Sequence, residues 1–218
     1  MVIYKLEKTG NAIFYSHHDM MRIFLLSLSR AGINTKKSRS GAMEVYFSTA
    51  TNIGVESVAE FVEINTDMQA HKLADILKTY LPDGIKIIAE YDTKERLNIS
   101  KIACLAKYEI EANFTDFSQS QITKVLKSPD FTVSTKINNE VSSVKAVDAI
   151  HNFYFDKGKL YIIAGVGENS LNVLQTIMQV LHKIKVDAGK INVKKLNLFA
   201  SFDGRFHDIE LLILRLVK

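Results

Sequence analysis

The order of apolar patterns along residues 2–91 is the feature that most constrains the fold of this chain. Alternating apolar and polar side chains predict strands, and apolar side chains that recur every three to four residues predict helices. Here these patterns follow one another as strand, helix, strand, strand, helix, strand. That order is typical of the split βαβ, or ferredoxin-like, unit.

Local signals bound the segments of this first unit. Gly32 ends the first helix and Pro82-Asp83-Gly84 ends the second, because such residues interrupt helical geometry. The predicted segments are the strands Val2–Lys8, Ser57–Asn65 and Ile85–Tyr91, the helices Ser16–Ala31 and Asp67–Leu81, and the extended segments Ile33–Lys37 and Val45–Thr49.

The second half of the chain shows a similar but less regular pattern. We predict an α+β fold of two tandem ferredoxin-like units that pack together, with mainly antiparallel sheets. The polar stretch Thr93–Lys101 marks the junction, which gives domains at 1–92 and 93–218, and the tail Ser201–Lys218 can form a strand or a helix. The predicted segments of the second unit are the strands Cys104–Phe114, Phe131–Ile137, Ser143–Ala149, Lys159–Ala164 and Val193–Phe199, and the helices Phe117–Leu126 and Leu171–His182.

Composition excludes several classes of protein and site. The single cysteine, Cys104, excludes a disulfide scaffold, and it excludes an iron–sulfur cluster or a Cys-rich zinc site held by this chain alone. We find no signal peptide and no apolar run long enough to span a bilayer, so we expect a cytoplasmic protein without a membrane partner. The formal net charge of +4 permits an RNA partner without demanding one.

Several short motifs occur in this chain in the same order as in a known protein family. They are Lys8-Thr9-Gly10, Ser16-His17-His18-Asp19-Met20-Met21-Arg22, Arg30-Ala31-Gly32, Gly54-Val55-Glu56-Ser57-Val58-Ala59-Glu60, Lys145-Ala146-Val147-Asp148 and Gly167-Glu168-Asn169-Ser170-Leu171-Asn172. On these residues the chain resembles the radical-SAM-linked protein family, a bacterial family of unknown function. The resemblance covers residues 2–200.

The resemblance implies an accessory protein. Members of that family are fused to, or encoded beside, radical SAM enzymes, often near genes for ribonucleases and ribosomal proteins. A radical SAM enzyme is therefore the implied partner, RNA is a second candidate, and we expect no cofactor on this chain, which lacks the three-cysteine cluster. The family's loop of the form Tyr-Ser-x-Gly-Phe-Asn-Pro is replaced here by the shorter segment Lys37–Glu44, so roles placed on that loop do not carry over.

The cluster Ser16-His17-His18-Asp19 is the strongest local candidate for a chemical site. Two histidines and an aspartate can bind a metal ion or transfer protons, which makes His17, His18 and Asp19 candidate metal ligands. Ser16 followed three residues later by Asp19 also resembles a capping box, and we favour that role for these two residues. Capping leaves His17 unexplained, so His17 is the predicted acid/base residue of any site here.

Arg22 and Glu60 extend this candidate site. Arg22 follows Asp19 by one helical turn, where it can contact a phosphate near the helix N-terminus or form a surface ion pair. Glu60 belongs to a predicted strand and is either a catalytic carboxylate or a solvent-facing residue. We predict that His17, Asp19, Arg22 and Glu60 line one cleft.

Basic residues on the first helix and in the loop after it are the candidates for binding RNA or another anion. They are Arg22, Arg30, Lys36, Lys37 and Arg39, and we call them the basic surface. The alternative is that these charges are simply solvated. Tyr46 and Phe47 follow on the next strand, where alternation places them on opposite faces, so that one can stack on a base and the other belongs to the core.

A glycine-containing segment, Gly165–Ser170, follows a strand and opens a helix. It lacks the third glycine of a dinucleotide-binding loop, so we expect a turn with Ser170 as the helix cap. The predicted function is a non-catalytic accessory module that docks to a radical SAM enzyme and contacts RNA. The alternative is a small enzyme or metal-binding protein that uses His17 with Asp19 and Glu60.

Overall fold

The computed structural model describes residues 1–137, 140–167 and 171–217 and shows a mixed α+β fold with a mostly antiparallel sheet. None of the helices in these ranges is long and apolar enough to cross a membrane. The helices are α1 (His17–Arg30), α2 (Ala70–Leu77), α3 (Ile99–Ile102), α4 (Asp116–Leu126), α5 (Ala146–Ala149), α6 (Val173–Ile184) and α7 (Ile209–Leu214), and a 3-10 helix (Gly10–Phe14) precedes α1. The strands are β1 (Val2–Lys8), β2 (Val45–Phe47), β3 (Glu56–Ile64), β4 (Ile85–Asp92), β5 (Ala103–Glu111), β6 (Thr132–Ile137), β7 (Glu140–Lys145), β8 (Ile150–Asp156), β9 (Lys159–Gly165), β10 (Asn192–Phe202) and β11 (Arg205–Asp208).

The chain forms two compact units. Unit 1 contains Met1–Ala103 together with Asn197–Lys218, and unit 2 contains Cys104–Leu196. Unit 1 is therefore built from two separate stretches of chain, whereas unit 2 is continuous. The domain boundary predicted between residues 92 and 93 stays a prediction.

The sheet of unit 1 has the strand order β4-β1-β3-β2, and each of these pairings is antiparallel. Val62 on β3 lies opposite Tyr4 on β1 and opposite Phe47 on β2, which fixes the register of the three strands. The six elements from β1 to β4 follow the predicted order of strand, helix, strand, strand, helix, strand. That part of the prediction is confirmed.

One face of this sheet packs against α1 and α2. Its core consists of buried side chains from all of these elements, and Tyr4, although polar, lies among them because its hydroxyl donates to the Ala70 carbonyl at 2.7 Å. Burial raises the pKa of Tyr4 well above its usual value. The core residues on the two helices and the two central strands are Val2, Tyr4, Leu6, Phe24, Leu28, Val62, Ile64, Ala70, Leu73, Ala74 and Leu77.

The opposite face of the sheet carries contacts with the C-terminal stretch of unit 1. Lys5 on β1 and Tyr91 on β4 both donate to the carboxylate of Glu210 on α7, at 2.5 and 2.6 Å. Burial and the hydrogen bond to Glu210 raise the pKa of Tyr91. Nearly every residue of β1 is therefore covered, although its sequence alternates.

Three predicted segments of unit 1 differ from the structure. α2 begins at Ala70 rather than at Asp67, because the Thr66 hydroxyl accepts the Met68 N–H and the Asp92 carboxylate accepts the Ala70 N–H. The predicted extended segment at 33–37 contains only an isolated bridge between residues 37 and 43. The predicted strand at 45–49 is shortened to the three residues of β2.

Unit 2 contains the antiparallel strands β5-β9-β8 and a separate hairpin of β6 and β7. The predicted strand Ser143–Ala149 is wrong in its second half, which forms α5. α6 begins after Asn172, whose side chain accepts the Gln175 N–H at 3.1 Å. Ser170, the predicted cap, lies outside the described residues.

The predicted tail forms both a strand and a helix. β10 turns back into β11, with Phe199 opposite Asp208, and α7 follows at once. Asp208 ends the hairpin and starts the helix, because its carboxylate accepts from the Asn197 amide at 2.6 Å and from the Glu210 N–H at 2.8 Å.

Candidate functional site

The start of α1 is held by the predicted capping box. The Asp19 N–H donates to the Ser16 hydroxyl at 3.1 Å, and the Ser16 N–H donates to the Asp19 carboxylate at 3.0 Å. The Ser16 hydroxyl and N–H, which donate to this carboxylate, lower the pKa of Asp19, and the Arg22 guanidinium lowers it further. Asp19 is thus an exposed carboxylate committed to its helix.

His17 occupies a different environment from its neighbours. Its ring lies edge-on to Phe47, with 6.2 Å between the ring centres, and Phe47 contacts the buried Phe24 in the same way at 5.6 Å. His17 is partly buried, whereas His18 and Asp19 are exposed. The helix start therefore directs His17 toward the aromatic edge of the core of unit 1.

Glu60 is buried rather than solvent-facing, with only 8% of its surface exposed. It shares a face of β3 with Val62 and Ile64, and the Thr51 hydroxyl, on the segment after β2, donates to its carboxylate. Lys8 is also buried, at 2% exposure, on a strand whose side chains at every second position belong to the core. The solvent-facing alternative for Glu60 is wrong because this segment covers the end of the sheet.

The four residues of the predicted cleft have two kinds of surroundings. His17 and Glu60 are partly or largely buried, whereas Asp19 and Arg22 are exposed on α1. Within residues 1–137, 140–167 and 171–217, no three His, Cys, Asp or Glu side chains come together as a metal site. A common cleft stays a prediction.

The five residues of the basic surface are all exposed. Arg22 and Arg30 are eight residues apart, so they share one side of α1. Lys36 pairs with Asp67, with 3.2 Å between the charged atoms. The other four form no ion pair in the part of the chain that the structure describes.

The two aromatic residues of β2 point to opposite faces, as predicted. Phe47 packs against the core, and Tyr46 lies under the guanidinium of Arg96, which is 3.3 Å from the ring centre. One face of the Tyr46 ring is therefore already occupied. Sequence patterns did not identify Arg96, because no local motif includes it.

Glu63 is a second residue that the sequence patterns missed. Glu63 is 1% exposed, and its carboxylate accepts the backbone N–H groups of Leu97 at 2.7 Å, Asn98 at 3.0 Å and Ile99 at 2.9 Å. It also lies 3.7 Å from Nε of Arg96. This one side chain anchors the segment that leads into α3.

Unit 2 carries a separate cluster of aromatic and charged side chains on β5, β8 and β9. Tyr154 and Tyr161 stack at 5.1 Å, and the Lys107 ammonium lies 4.9 Å from the Tyr161 ring centre. The Glu109 carboxylate accepts from Tyr161 at 2.8 Å and from Lys159 at 3.1 Å. The bond to Glu109 raises the pKa of Tyr161 to about 12. Burial acts to raise the pKa of Glu109, but the two donated hydrogen bonds lower it below its usual value.

A family model described as "Uncharacterized protein conserved in bacteria (DUF2344)" matches residues 2–179. No curated protein matches the chain.

Among solved structures, one described as "Crystal Structure of a Cbf5-Nop10-Gar1 Complex" is similar over 90% of this chain and 48% of the other, with 9% identity and a TM-score of 0.45. The chain thus spans about half the length of the chain it matches there. A second, described as "Crystal Structure of an Unknown Protein from Galdieria sulphuraria", is similar over 89% of this chain and 96% of the other, with 12% identity and a TM-score of 0.29. Both TM-scores are too low to establish a shared fold.

Proposed function

This chain belongs to the DUF2344 family of proteins conserved in bacteria, and we propose that it is a non-catalytic binding module that docks to a radical SAM enzyme and contacts RNA. It works in the cytoplasm and consists of two tandem ferredoxin-like units. The order β4-β1-β3-β2 supports the first unit. The second is supported by β5, α4, β8, β9 and α6, which repeat the order of β1, α1, β2, β3 and α2 around an inserted hairpin and α5.

The unpaired charges of the basic surface are the observation that supports RNA binding in this proposal. Arg22, Arg30, Lys37 and Arg39 are exposed and form no ion pair with the described residues, so their charges are available to phosphates. Such charges attract a polyanion by releasing its condensed counterions, without reading its sequence. Contact through RNA phosphates is therefore the interaction that these residues support best.

The structural roles of the candidate carboxylates support a non-catalytic module. Asp19 is held by Ser16 in the capping box, and Glu60 is buried against Thr51. An acid/base pair with His17 would need a carboxylate within hydrogen-bond reach of the imidazole. The structural roles of these two carboxylates, at the start of α1 and beneath the segment after β2, favour binding over catalysis.

Replacing the four unpaired basic residues of the basic surface is expected to weaken RNA binding at least tenfold. The variant is Arg22→Ala, Arg30→Ala, Lys37→Ala and Arg39→Ala in one chain. Each lost phosphate contact lowers the slope of log K against log salt by about 0.7 for a single strand. Filter binding of a single-stranded oligoribonucleotide at several salt concentrations measures both quantities.

The matched control removes the same total charge from exposed lysines elsewhere. It combines Lys86→Ala, Lys101→Ala, Lys124→Ala and Lys127→Ala, all at exposed positions. This control is expected to keep most of the affinity and the salt slope. Two results would refute contact through the basic surface. In the first, the wild-type protein binds RNA without salt dependence. In the second, the control weakens binding as much as the first variant does.

The proposed docking to a radical SAM enzyme rests on the family resemblance of the motifs around His17 and Arg30. A radical SAM enzyme encoded beside this chain is expected to co-elute with it in size-exclusion chromatography of the two purified proteins. A radical SAM enzyme encoded far from this chain is the control and is expected to elute separately. Separate elution of the neighbouring enzyme would contradict docking and would leave RNA binding as the remaining function.

A further inference from the structure

Unit 1 contains a polar cavity of about 760 Å³ next to the start of α2. This volume lies within the range of small-molecule sites. Its lining is mostly polar, so an apolar ligand would gain little there. The charged residues that line it are Lys36, Asp67, Asp92, Lys94 and Arg96, and we call it the Arg96 cavity.

The two carboxylates of the Arg96 cavity already have partners. Asp67 pairs with Lys36 at 3.2 Å, and an oxygen of Asp92 accepts the Ala70 N–H at 3.1 Å. Lys94 and Arg96 add two further positive charges, and Lys94 forms no ion pair among the residues that the structure describes. The charged side chains that line the cavity are therefore three positive and two negative, a formal excess of one positive charge, and the Glu63 carboxylate outside the lining pairs with Arg96.

Arg96 is fixed in place without using its hydrogen-bond donors. Its guanidinium stacks on Tyr46, and only 28% of its side chain is exposed. Glu63 is 3.7 Å from Nε, too far for a hydrogen bond, and the same carboxylate already accepts three backbone N–H groups. None of the guanidinium N–H groups of Arg96 donates a hydrogen bond within the described ranges, and Nε is buried without a hydrogen-bond partner, although it forms an ion pair with Glu63 at 3.7 Å.

A stacked and partly buried guanidinium with unused donors is suited to an oxyanion. Its planar N–H fork matches two oxygens of one phosphate, and stacking reduces the conformational freedom that binding would otherwise remove. Lys94 supplies a second positive charge, so a phosphate dianion gains more electrostatic attraction there than a singly charged carboxylate does.

We propose that the Arg96 cavity binds a phosphate monoester, with Arg96 as the bidentate donor and Lys94 as an additional positive charge. Lys36 lines the cavity and also belongs to the basic surface, but it is paired with Asp67. The proposal does not depend on RNA binding by the basic surface, because the two proposed phosphate-binding residues, Arg96 and Lys94, do not belong to that surface. A free nucleotide and the phosphorylated end of an RNA strand present the same group.

Calorimetric titration of the full chain with AMP and with adenosine tests this proposal. AMP is expected to bind at low ionic strength and adenosine is not, because the phosphate supplies the recognised oxygens. Inorganic phosphate is expected to compete with AMP, and acetate at equal ionic strength is not. Equal binding of AMP and adenosine, equal competition by acetate, or no binding of AMP would overturn the proposal.

Two substitutions separate binding from folding. Arg96→Lys keeps the positive charge but loses the planar fork, and we expect it to weaken AMP binding about tenfold. Lys94→Ala changes an exposed residue and is expected to weaken binding severalfold without unfolding unit 1. Lys86→Ala, at an exposed position of β4 outside the cavity and the basic surface, is the control and should leave AMP affinity unchanged. A loss with Lys86→Ala equal to that with Lys94→Ala would show general charge attraction instead.

A final pair of probes identifies the source of the phosphate. The affinity of an oligoribonucleotide with a 5′-phosphate is compared with that of AMP. If the oligoribonucleotide binds more tightly and through Arg96, the natural ligand is the end of an RNA strand. If AMP binds more tightly, the natural ligand is a free nucleotide. The same oligoribonucleotide with a 5′-hydroxyl should be insensitive to Arg96→Lys. If RNA binding fails while AMP binding persists, the RNA-binding part of the proposed function is wrong and the phosphate site stands.

Discussion

Alanine in place of Glu63 is expected to destabilise unit 1 by about 4 kcal/mol. The buried carboxylate accepts three consecutive backbone N–H groups, from Leu97 to Ile99, and the substitution leaves all three without their acceptor. Arg96 also loses the neighbouring negative charge. Urea denaturation followed by circular dichroism measures the loss.

Two further variants identify the cause of this loss. Glu63→Gln keeps the shape of the side chain but only one acceptor oxygen, so we expect an intermediate cost of about 2 kcal/mol. Glu90→Ala removes an exposed carboxylate from β4 and should change stability by less than about 0.5 kcal/mol. If Glu63→Ala costs no more than Glu90→Ala, this carboxylate does not anchor the segment before α3.

Alanine in place of Gly84 is expected to cost about 3 kcal/mol. Gly84 has a φ of +86°, and a Cβ there would lie 2.4 Å from the Thr9 carbonyl oxygen and 2.9 Å from the Cβ of Ala12. The two turns cannot simply move apart, because the Thr9 N–H donates to the Gly84 carbonyl at 2.8 Å. Thermal and urea unfolding both report the change.

Gly32→Ala is the matched control for backbone strain alone. Gly32 also has a positive φ, +66°, but no atom lies within 4 Å of the place its Cβ would take. We expect a loss of about 1 kcal/mol, from the left-handed conformation only. Equal losses for Gly32→Ala and Gly84→Ala would show that the close approach of the two turns has no energetic consequence.

Features that depend on neighbouring residues could be predicted from the sequence. The Ser16–Asp19 capping box spans three residues, and the helix stop at Gly32 needs only local chemistry. The alternation of β1 correctly identified the face that packs against α1 and α2. The burial of Glu60 could have been found in the same way, because it shares its face of β3 with Val62 and Ile64.

Features that depend on distant residues could not be predicted in this way. Glu63 lies between two core residues of β3, and alternation assigns it to the other face, where a carboxylate is ordinary. Its partners come more than 30 residues later, and the partner of Lys5 comes 205 residues later. A pattern along one strand shows which face is apolar but not which segment covers the opposite face. For the same reason the surroundings of Arg96 had no sequence signal.

The two-part construction of unit 1 sets an order of events during synthesis. Residues 1–103 leave the ribosome before unit 2, but the stretch from Asn197 that completes unit 1 leaves it only after unit 2. The continuous unit 2 can fold in the interval. Until α7 emerges, Lys5 on β1 cannot bind Glu210, and this side of β1 lacks its contacts with α7. We therefore expect a chain stalled at this stage to be bound by chaperones and cleaved by proteases more readily than a chain that includes α7.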